Sequence, residues 1–573
     1  MNKPIIQFKN FSFKYDSQAD DTLKEINLEI QQGEKILIAG PSGSGKSTIV
    51  RCLNGLIPNE DHGEIKGTCL VNGKDITKAS LFDLSFTTST ILQDSDSQFI
   101  GMTVGEDIAF SLENDCQPRD KMHEKVNKWA AELKLANLLT QSPQTLSGGQ
   151  KQIVALAGVL VDESPILLFD EPLANLDPAT GLKTIRLIDR IQKEVNATVI
   201  IIEHRIEEVL AEHVDRIVLV NDGKIVADQL PNDLLHTHLL EKVGVRSPLY
   251  INALEKAGIN LKEVPELDSI TNLPVDDTIK NRLEMWEEKQ SKVDDKKDVQ
   301  PLLTLENVGH RYTKKQTHPL HNVTATINKG DFVSIVGQNG AGKTTLCRII
   351  CGFISSEGEV SFDGHNLSNF SIKERAEKIG YVMQDPNQMI SEKMILDEVA
   401  LGLRLRNVDE DEIKDRVNKT LKICGLYPFR NWPISALSFG QKKRVTIAAI
   451  LVLEPDLIIL DEPTAGQDWQ TYTEIMNFLG DLNKQGKTIM IVTHDMHLML
   501  EYTTRSLAFA NGALIADTTP IALLTNQDLI KQASLKRTSL FELATHYNLP
   551  DPNGFVQAYI DSERHGKVGV ENE

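Results

Sequence analysis

The sequence predicts an α/β fold laid down twice, as two tandem domains that each hold a mainly parallel sheet. Three observations carry this. Short apolar runs alternate with helical patterns, as in Ile166-Leu167-Leu168-Phe169 and Leu457-Ile458-Ile459-Leu460. Near-continuous runs of this kind fit strands covered on both faces. Each half also carries a glycine-rich stretch directly after an apolar strand, and motifs further along recur at a nearly constant offset.

The first apolar strand, Ile36-Leu37-Ile38-Ala39, leads into Gly40-Pro41-Ser42-Gly43-Ser44-Gly45-Lys46-Ser47-Thr48, which fits G-x-x-x-x-G-K-[ST]. Glycines let the backbone turn tightly, so that successive N–H groups face phosphate oxygens from the start of the next helix. Lys46 then reaches the β and γ phosphates and the Ser47 hydroxyl ligates Mg²⁺. The second cradle follows Phe332-Val333-Ser334-Ile335-Val336 and reads Gly337-Gln338-Asn339-Gly340-Ala341-Gly342-Lys343-Thr344-Thr345, an offset of 297 (337 less 40). Tyr15 and Tyr312 share that offset. Gln93 and Gln384, Ser147 and Ser438, and Asp170 and Asp461 stand 291 apart, so six residues drop out, most simply within Ile57–Gly63. His204 and His494 differ by 290. Past these, Arg246, Leu249, Tyr250 and Ala253 align with Arg537, Leu540, Phe541 and Ala544, giving each half a small helical tail. We divide the chain into residues 1–240 (first domain), 241–300 (helical tail and charged linker), 301–535 (second domain) and 536–573 (C-terminal helical tail). Asn281 to Val299, dense in Glu, Lys and Asp, reads as a solvated linker.

Composition narrows the function. A net charge of −20 over 573 residues argues against nucleic acid or anionic lipid as the main partner. Nothing approaches 18 consecutive apolar residues and the N-terminus lacks a signal-peptide pattern, so the chain is not expected to span a membrane. Six cysteines without C-x-x-C spacing read as buried core thiols in a reducing cytosol.

Phosphate cradles serve kinases, GTPases and other ATPases alike. Leu146-Ser147-Gly148-Gly149-Gln150, with its counterpart Leu437-Ser438-Phe439-Gly440-Gln441, resembles the signature of the ABC ATPase superfamily. The ordered set of cradle, glutamine, signature, paired acids and histidine occurs in both halves. The resemblance implies two tandem P-loop NTPase domains, each with a helical subdomain, that bind and hydrolyse ATP with Mg²⁺. Asp170 and Asp461 end apolar strands, where a carboxylate can hold hydrated Mg²⁺ beside Ser47 and Thr344. Glu171 and Glu462 follow and can take a proton from the attacking water. By resemblance, His204 and His494 contact the γ-phosphate and Gln93 and Gln384 complete the Mg²⁺ and water shell. Tyr15 and Tyr312 offer flat π faces to adenine, the alternative being buried strand aromatics. The family pairs such domains head to tail, so Ser147, Gly148, Gly149 and Gln150 in one half and Ser438, Phe439, Gly440 and Gln441 in the other are expected to meet nucleotide in trans, within one chain.

Three departures stand out: Phe439 replaces a glycine, Ile153 stands where an arginine is usual, and Gln467-Asp468-Trp469 replaces the pattern seen as Leu176-Asp177-Pro178. Glu and His remain in both halves, so both sites are expected to turn over. Two functional classes fit: the motor of a transporter with separate membrane subunits, or a soluble tandem ATPase acting on ribosomes or DNA. The linker is short and no more basic than acidic, which speaks against the second. Gln93-Asp94-Ser95-Asp96-Ser97-Gln98 and Gln384-Asp385-Pro386-Asn387-Gln388, with Glu203-His204-Arg205 and Thr493-His494-Asp495, resemble energy-coupling factor (cobalt/vitamin-type) importer ATPases. That implies a peripheral protein on the cytoplasmic face of the cell membrane, partnered by an integral coupling subunit and a small substrate-binding membrane subunit, with no nucleic acid.

Overall fold

The computed structural model describes residues 3–91, 98–146, 148–174, 176–289, 300–312, 320–464 and 469–569. The chain divides into two compact units, Met1–Val275 and Asp276–Glu573.

In the first unit the strands are β1 (Ile6–Tyr15), β2 (Leu23–Ile30), β3 (Lys35–Ala39), β4 (Gly63–Val71), β5 (Lys74–Asp75), β6 (Thr88–Ile91), β7 (Ile166–Asp170), β8 (Thr198–Ile202), β9 (Arg216–Asn221) and β10 (Lys224–Gln229). Six of them form a sheet in the order β10-β9-β3-β8-β7-β6, parallel except where β10 pairs with β9. Strand β3 is central and every one of its residues is buried, which is why its sequence is an unbroken apolar run after Lys35. The Lys35 ammonium enters this core only because Asp189 meets it at 2.5 Å. A second, antiparallel sheet, β2-β1-β4-β5, was not foreseen. One core fills the space among the two sheets and the helix Lys46–Leu53, with Phe8, Phe11 and Phe13 of β1 against Ile36, Ile38, Ile49 and Leu53. Each such side chain contributes about 1.5–3 kcal/mol by leaving water.

A helical layer lies between β6 and β7 in the chain: Val104–Asn114, Arg119–Glu132 and Gly148–Leu160. Thr103 starts the first helix through a capping box with Glu106, and Val104, Ile108 and Leu112, four apart, form its buried stripe.

The second unit repeats this plan. Its strands are β11 (Pro301–His310), β12 (Leu320–Asn328), β13 (Phe332–Gly337), β14 (Glu357–Phe362), β15 (His365–Asn366), β16 (Ile379–Val382), β17 (Leu457–Asp461), β18 (Thr488–Val492), β19 (Arg505–Ala510) and β20 (Ala513–Thr518). They form sheets ordered β16-β17-β18-β13-β19-β20 and β12-β11-β14-β15. Register locates the six-residue difference between the halves. Ile6 pairs with Val71 and Leu303 with Phe362, partners offset by 297 and by 291, so the extra residues lie before β4. The first unit spends them on a turn around Leu56–Asn59, within which Ile57 leaves the helical region at φ −97° and ψ 124°.

The tails are helical at Leu249–Lys256 and Ser539–His546. Of the stretch read as solvated linker, residues 290–299 lie outside the described residues, and Asn281 to Lys289 belongs instead to the helix Asp277–Lys289, with Ile279 and Leu283 buried. Its Trp286 ring stands edge-on to Phe555, 5.6 Å between centroids. The charged residues had hidden an apolar stripe. Cys116 also departs from expectation: it is exposed, while the other five cysteines are buried and free. Among the described residues no helix is long and apolar enough to cross a membrane.

Candidate active sites

Each cradle joins the end of a central strand to the start of a helix. Gly40 and Gly337 have φ of 154° and 143°, and a Cβ on either would lie 2.0 Å from the Val220 carbonyl oxygen or 2.1 Å from that of Phe509. Only glycine fits so close an approach, and Gly45 and Gly342 then cap the helices at φ near 100° (103° and 98°). Lys46 folds back over its loop, donating to the Gly40 and Pro41 carbonyls at 2.9 and 2.7 Å. Lys343 does the same with Gly337 and Gln338 at 2.8 and 3.0 Å. The Ser44 hydroxyl is buried in the first loop with no partner among the described residues, a polar group suited to a phosphate oxygen.

Four of the six metal-binding candidates meet in two pairs. Ser47 Oγ lies 3.5 Å from Asp170 Oδ1, and Thr344 Oγ1 donates to Asp461 Oδ2 at 3.0 Å. A hydroxyl beside a carboxylate is an oxygen set that fits a hard divalent cation. Burial, then the neighbouring Glu171, pushes Asp170 up to about 6, and burial, then Glu462, raises Asp461 above its usual value. Both carboxylates therefore gain from a nearby positive charge.

The general-base candidates are matched in both units. His204 Nε2 lies 3.1 Å from Glu171 Oε1, and His494 Nε2 lies 3.0 Å from Glu462 Oε1. Glu171 and Glu462 both hold left-handed backbone, φ 51° and 49°, which a non-glycine residue adopts at a cost of roughly 1–3 kcal/mol. Their N–H groups are pinned to the next strand, to Ile202 O at 2.9 Å and Val492 O at 3.0 Å. The strain turns each carboxylate from the sheet edge toward its histidine. Burial alone would raise Glu462, but the charge and hydrogen bond of His494, together with the charges of Lys343 and Lys443, hold the carboxyl below its usual value.

In the second signature stretch, Ser438 caps the helix Phe439–Leu451 by a capping box: Ser438 Oγ accepts from Gln441 N at 3.3 Å and Gln441 Oε1 accepts from Ser438 N at 3.0 Å. Serine and glutamine three apart thus set the helix start. In the first unit Gly148 opens the helix and Gly149 lies against Thr180, where a Cβ would be 3.2 Å from Thr180 Cγ2. Gln150 follows on the same helix. Ser147 and Gln93 lie outside the described residues, as do Gln467 and Asp468, and the Phe439 side chain is likewise not described. Gln384 is exposed just beyond β16. Asn339, Gly340 and Ala341 complete the second cradle between Gln338 and Gly342, and Ser42 and Gly43 the first. Tyr15 and Tyr312 place their hydroxyls 3.4 and 3.1 Å from Thr48 and Thr345, on the cradle helices.

Four further residues were given no role of their own by the sequence, Glu203 and Arg205 having entered only as neighbours of His204. Tyr381 donates to Asp461 Oδ2 at 3.1 Å. Lys443, wholly buried, donates to the carbonyls of Gln384 and Glu462. Glu203 accepts from Leu173 N at 2.9 Å, and Arg205 donates to the Leu173 carbonyl. Nothing local marked Lys443, which stands in the polar run Gln441-Lys442-Lys443-Arg444.

A strand-terminal carboxylate, a glutamate–histidine pair and a phosphate cradle, present twice, define a tandem nucleotide-hydrolysing P-loop protein. The family described as ABC transporter matches residues 23–174 and 320–465, and one described as ATP-binding cassette cobalt transporter matches 237–310. An ABC transporter ATP-binding protein of Lactobacillus johnsonii is 74% identical over 98% of this chain and 98% of its own length. One from Enterococcus faecalis is 56% identical over 99% and 100%. The solved structure of cbiO1 from Clostridium perfringens, described as part of the ABC transporter complex cbiONQ, is 34% identical over 40% of this chain and 94% of that one, with a TM-score of 0.38. The chain belongs to the ABC transporter ATP-binding proteins. It is an ATPase with two ABC cassettes.

Proposed function

We propose that the chain is the ATP-hydrolysing, energy-coupling subunit of an ABC importer of the energy-coupling factor type, taking up a vitamin or metal ion through separate membrane subunits. The observation that carries the reading is the glutamate–histidine pair, at 3.1 Å in one cassette and 3.0 Å in the other. Two intact pairs suit a motor that uses both cassettes. The cobalt-transporter match at residues 237–310 supports the importer type. The acidic net charge of −20 favours a protein partner over nucleic acid.

In each cassette the cradle N–H groups and Lys46 or Lys343 hold the phosphates. Mg²⁺ would be held by Ser47 and Asp170, with Gln93, or by Thr344 and Asp461, with Gln384, and supplies charge neutralisation on the phosphates when bound. Glu171 or Glu462 takes the proton of the attacking water, its carboxylate oriented by His204 or His494. The signature residues Ser147, Gly148, Gly149 and Gln150, and Ser438, Phe439, Gly440 and Gln441, contact the γ-phosphate. Tyr15 and Tyr312 stack on adenine. A peripheral position on the cytoplasmic face of the membrane follows from the role. Affinity purification from solubilised membranes tests the reading: recovery of an integral coupling protein with a small hydrophobic membrane protein is the expected result, and recovery with ribosomes alone would overturn it.

A further inference from the structure

Lys443 is the one charged side chain among the largest fully buried ones described. It lies on the helix Phe439–Leu451, five residues beyond the capping Ser438. Its ammonium donates to two main-chain carbonyls, that of Gln384 at 2.9 Å and that of Glu462. These belong to the loop after β16 and to the strained residue after β17. Burial draws the ammonium down to about 8, while Glu462, Asp461 and Asp385 pull it back up. A buried charge without a close carboxylate partner contributes little to stability, and an apolar side chain of similar volume is often neutral or better. Stability alone therefore does not explain the residue. At the matching place in the first cassette stands Gln152, a neutral amide that donates to the Pro172 carbonyl, one residue beyond the catalytic glutamate.

We infer that Lys443 is a positioning residue of the second cassette, tying the backbone of Gln384 to that of Glu462 so that the glutamine loop and the general base shift together. The ammonium acts through Glu462 and does not touch nucleotide. One donor bond on this nitrogen holds the Glu462 carbonyl, on the residue whose left-handed backbone, φ 49°, carries the carboxylate that meets His494, and the other holds the Gln384 carbonyl. A movement of the Gln384 loop is thereby passed to the base by a single rigid link. The inference rests on the reading of Glu462 as the general base.

The test compares steady-state ATP turnover, KM for ATP and the thermal midpoint of the full chain and its Lys443→Met, Lys443→Arg and Glu462→Gln variants. Lys443→Met is expected to lower kcat to within about twofold of Glu462→Gln, with KM and thermal midpoint unchanged and with partial recovery in Lys443→Arg. Lys443→Gln, the side chain with which the first cassette folds, gives the same reading where Met is not tolerated. A wild-type kcat in Lys443→Met overturns the inference, as does a joint loss of kcat, ATP binding and thermal midpoint, which would mark a structural role only. A wild-type kcat in Glu462→Gln instead overturns the reading of Glu462, and this inference with it.

Discussion

The two cassettes share the cradle glycines and lysine, the strand-terminal aspartate and the glutamate–histidine pair, with Ala341 where the first cradle has Ser44, and they differ further in what stands behind these groups. Sheet order, cradle geometry and the glutamate–histidine distance are shared. Behind Glu171, the general-base candidate, the first cassette places the buried Glu203 carboxylate, which accepts from the N–H groups of Leu173, His204 and Arg205 at 2.9, 3.0 and 3.3 Å. The second has Thr493 there, whose hydroxyl accepts from Asp495 N at 3.0 Å, and it supports Glu462 from the other side with Lys443. Tyr381, which steadies Asp461, has Thr90 at the matching place in β6. The chemistry thus fixes where a carboxylate and an imidazole must be, whereas any buried hydrogen-bonding group of suitable reach can hold them there.

The largest effect expected from breaking this comparison is on stability. Glu203→Ala leaves three N–H groups without their acceptor and is expected to destabilise the first cassette by on the order of 3 kcal/mol. Chemical denaturation followed by proteolysis mapping should show the loss in residues 1–275 and leave the second unit unchanged. Where the cassettes agree, variants should behave alike. Lys46→Ala and Lys343→Ala are each expected to weaken ATP binding at one site by roughly 10- to 100-fold, since hydrogen bonds to charged groups are worth about 1.5–3 kcal/mol. Titration with a fluorescent nucleotide would read two sites in the parent and one tight site in each variant. Unequal losses would show that the cradles differ in a way their geometry does not reveal.

The smallest effect concerns pH. Burial pushes Asp162 up to about 6. The aligned position 291 residues on is Leu453. A raised carboxyl pKa means that the folded unit binds this proton more tightly than the unfolded chain does. Its stabilising contribution is full below about pH 4, the unfolded carboxyl value, and is lost as pH rises through about 6. Asp162→Asn should therefore raise the thermal midpoint of the first cassette at pH 8 and change it little at pH 4. An equal shift at both pH values would contradict this account.

Much of the fold was legible because its period is local. Strands such as Ile36–Ala39 and Leu457–Leu460 are buried on both faces, and an unbroken apolar run is the direct consequence. The cradles were legible because close backbone approach admits only glycine at Gly40 and Gly337. The antiparallel sheet was missed because β1 is broken by a register shift between Phe8 and Phe11, which spoils strict alternation. The helix Asp277–Lys289 was missed because Glu, Lys and Asp on its open face outnumber Ile279 and Leu283. Lys443 and Tyr381 act through partners far away in sequence, as Glu203 does toward Leu173, and no spacing rule in a single chain identifies such partners.

That two competent sites share one chain is tested most directly by steady-state ATP hydrolysis of the full-length protein carrying Glu171→Gln, Glu462→Gln or both. A positioned general base contributes on the order of 10²- to 10⁴-fold, so each single substitution is predicted to lower turnover and the double substitution to leave almost none. Turnover unchanged by either single substitution would mean that its cassette does not hydrolyse ATP, and would contradict the account.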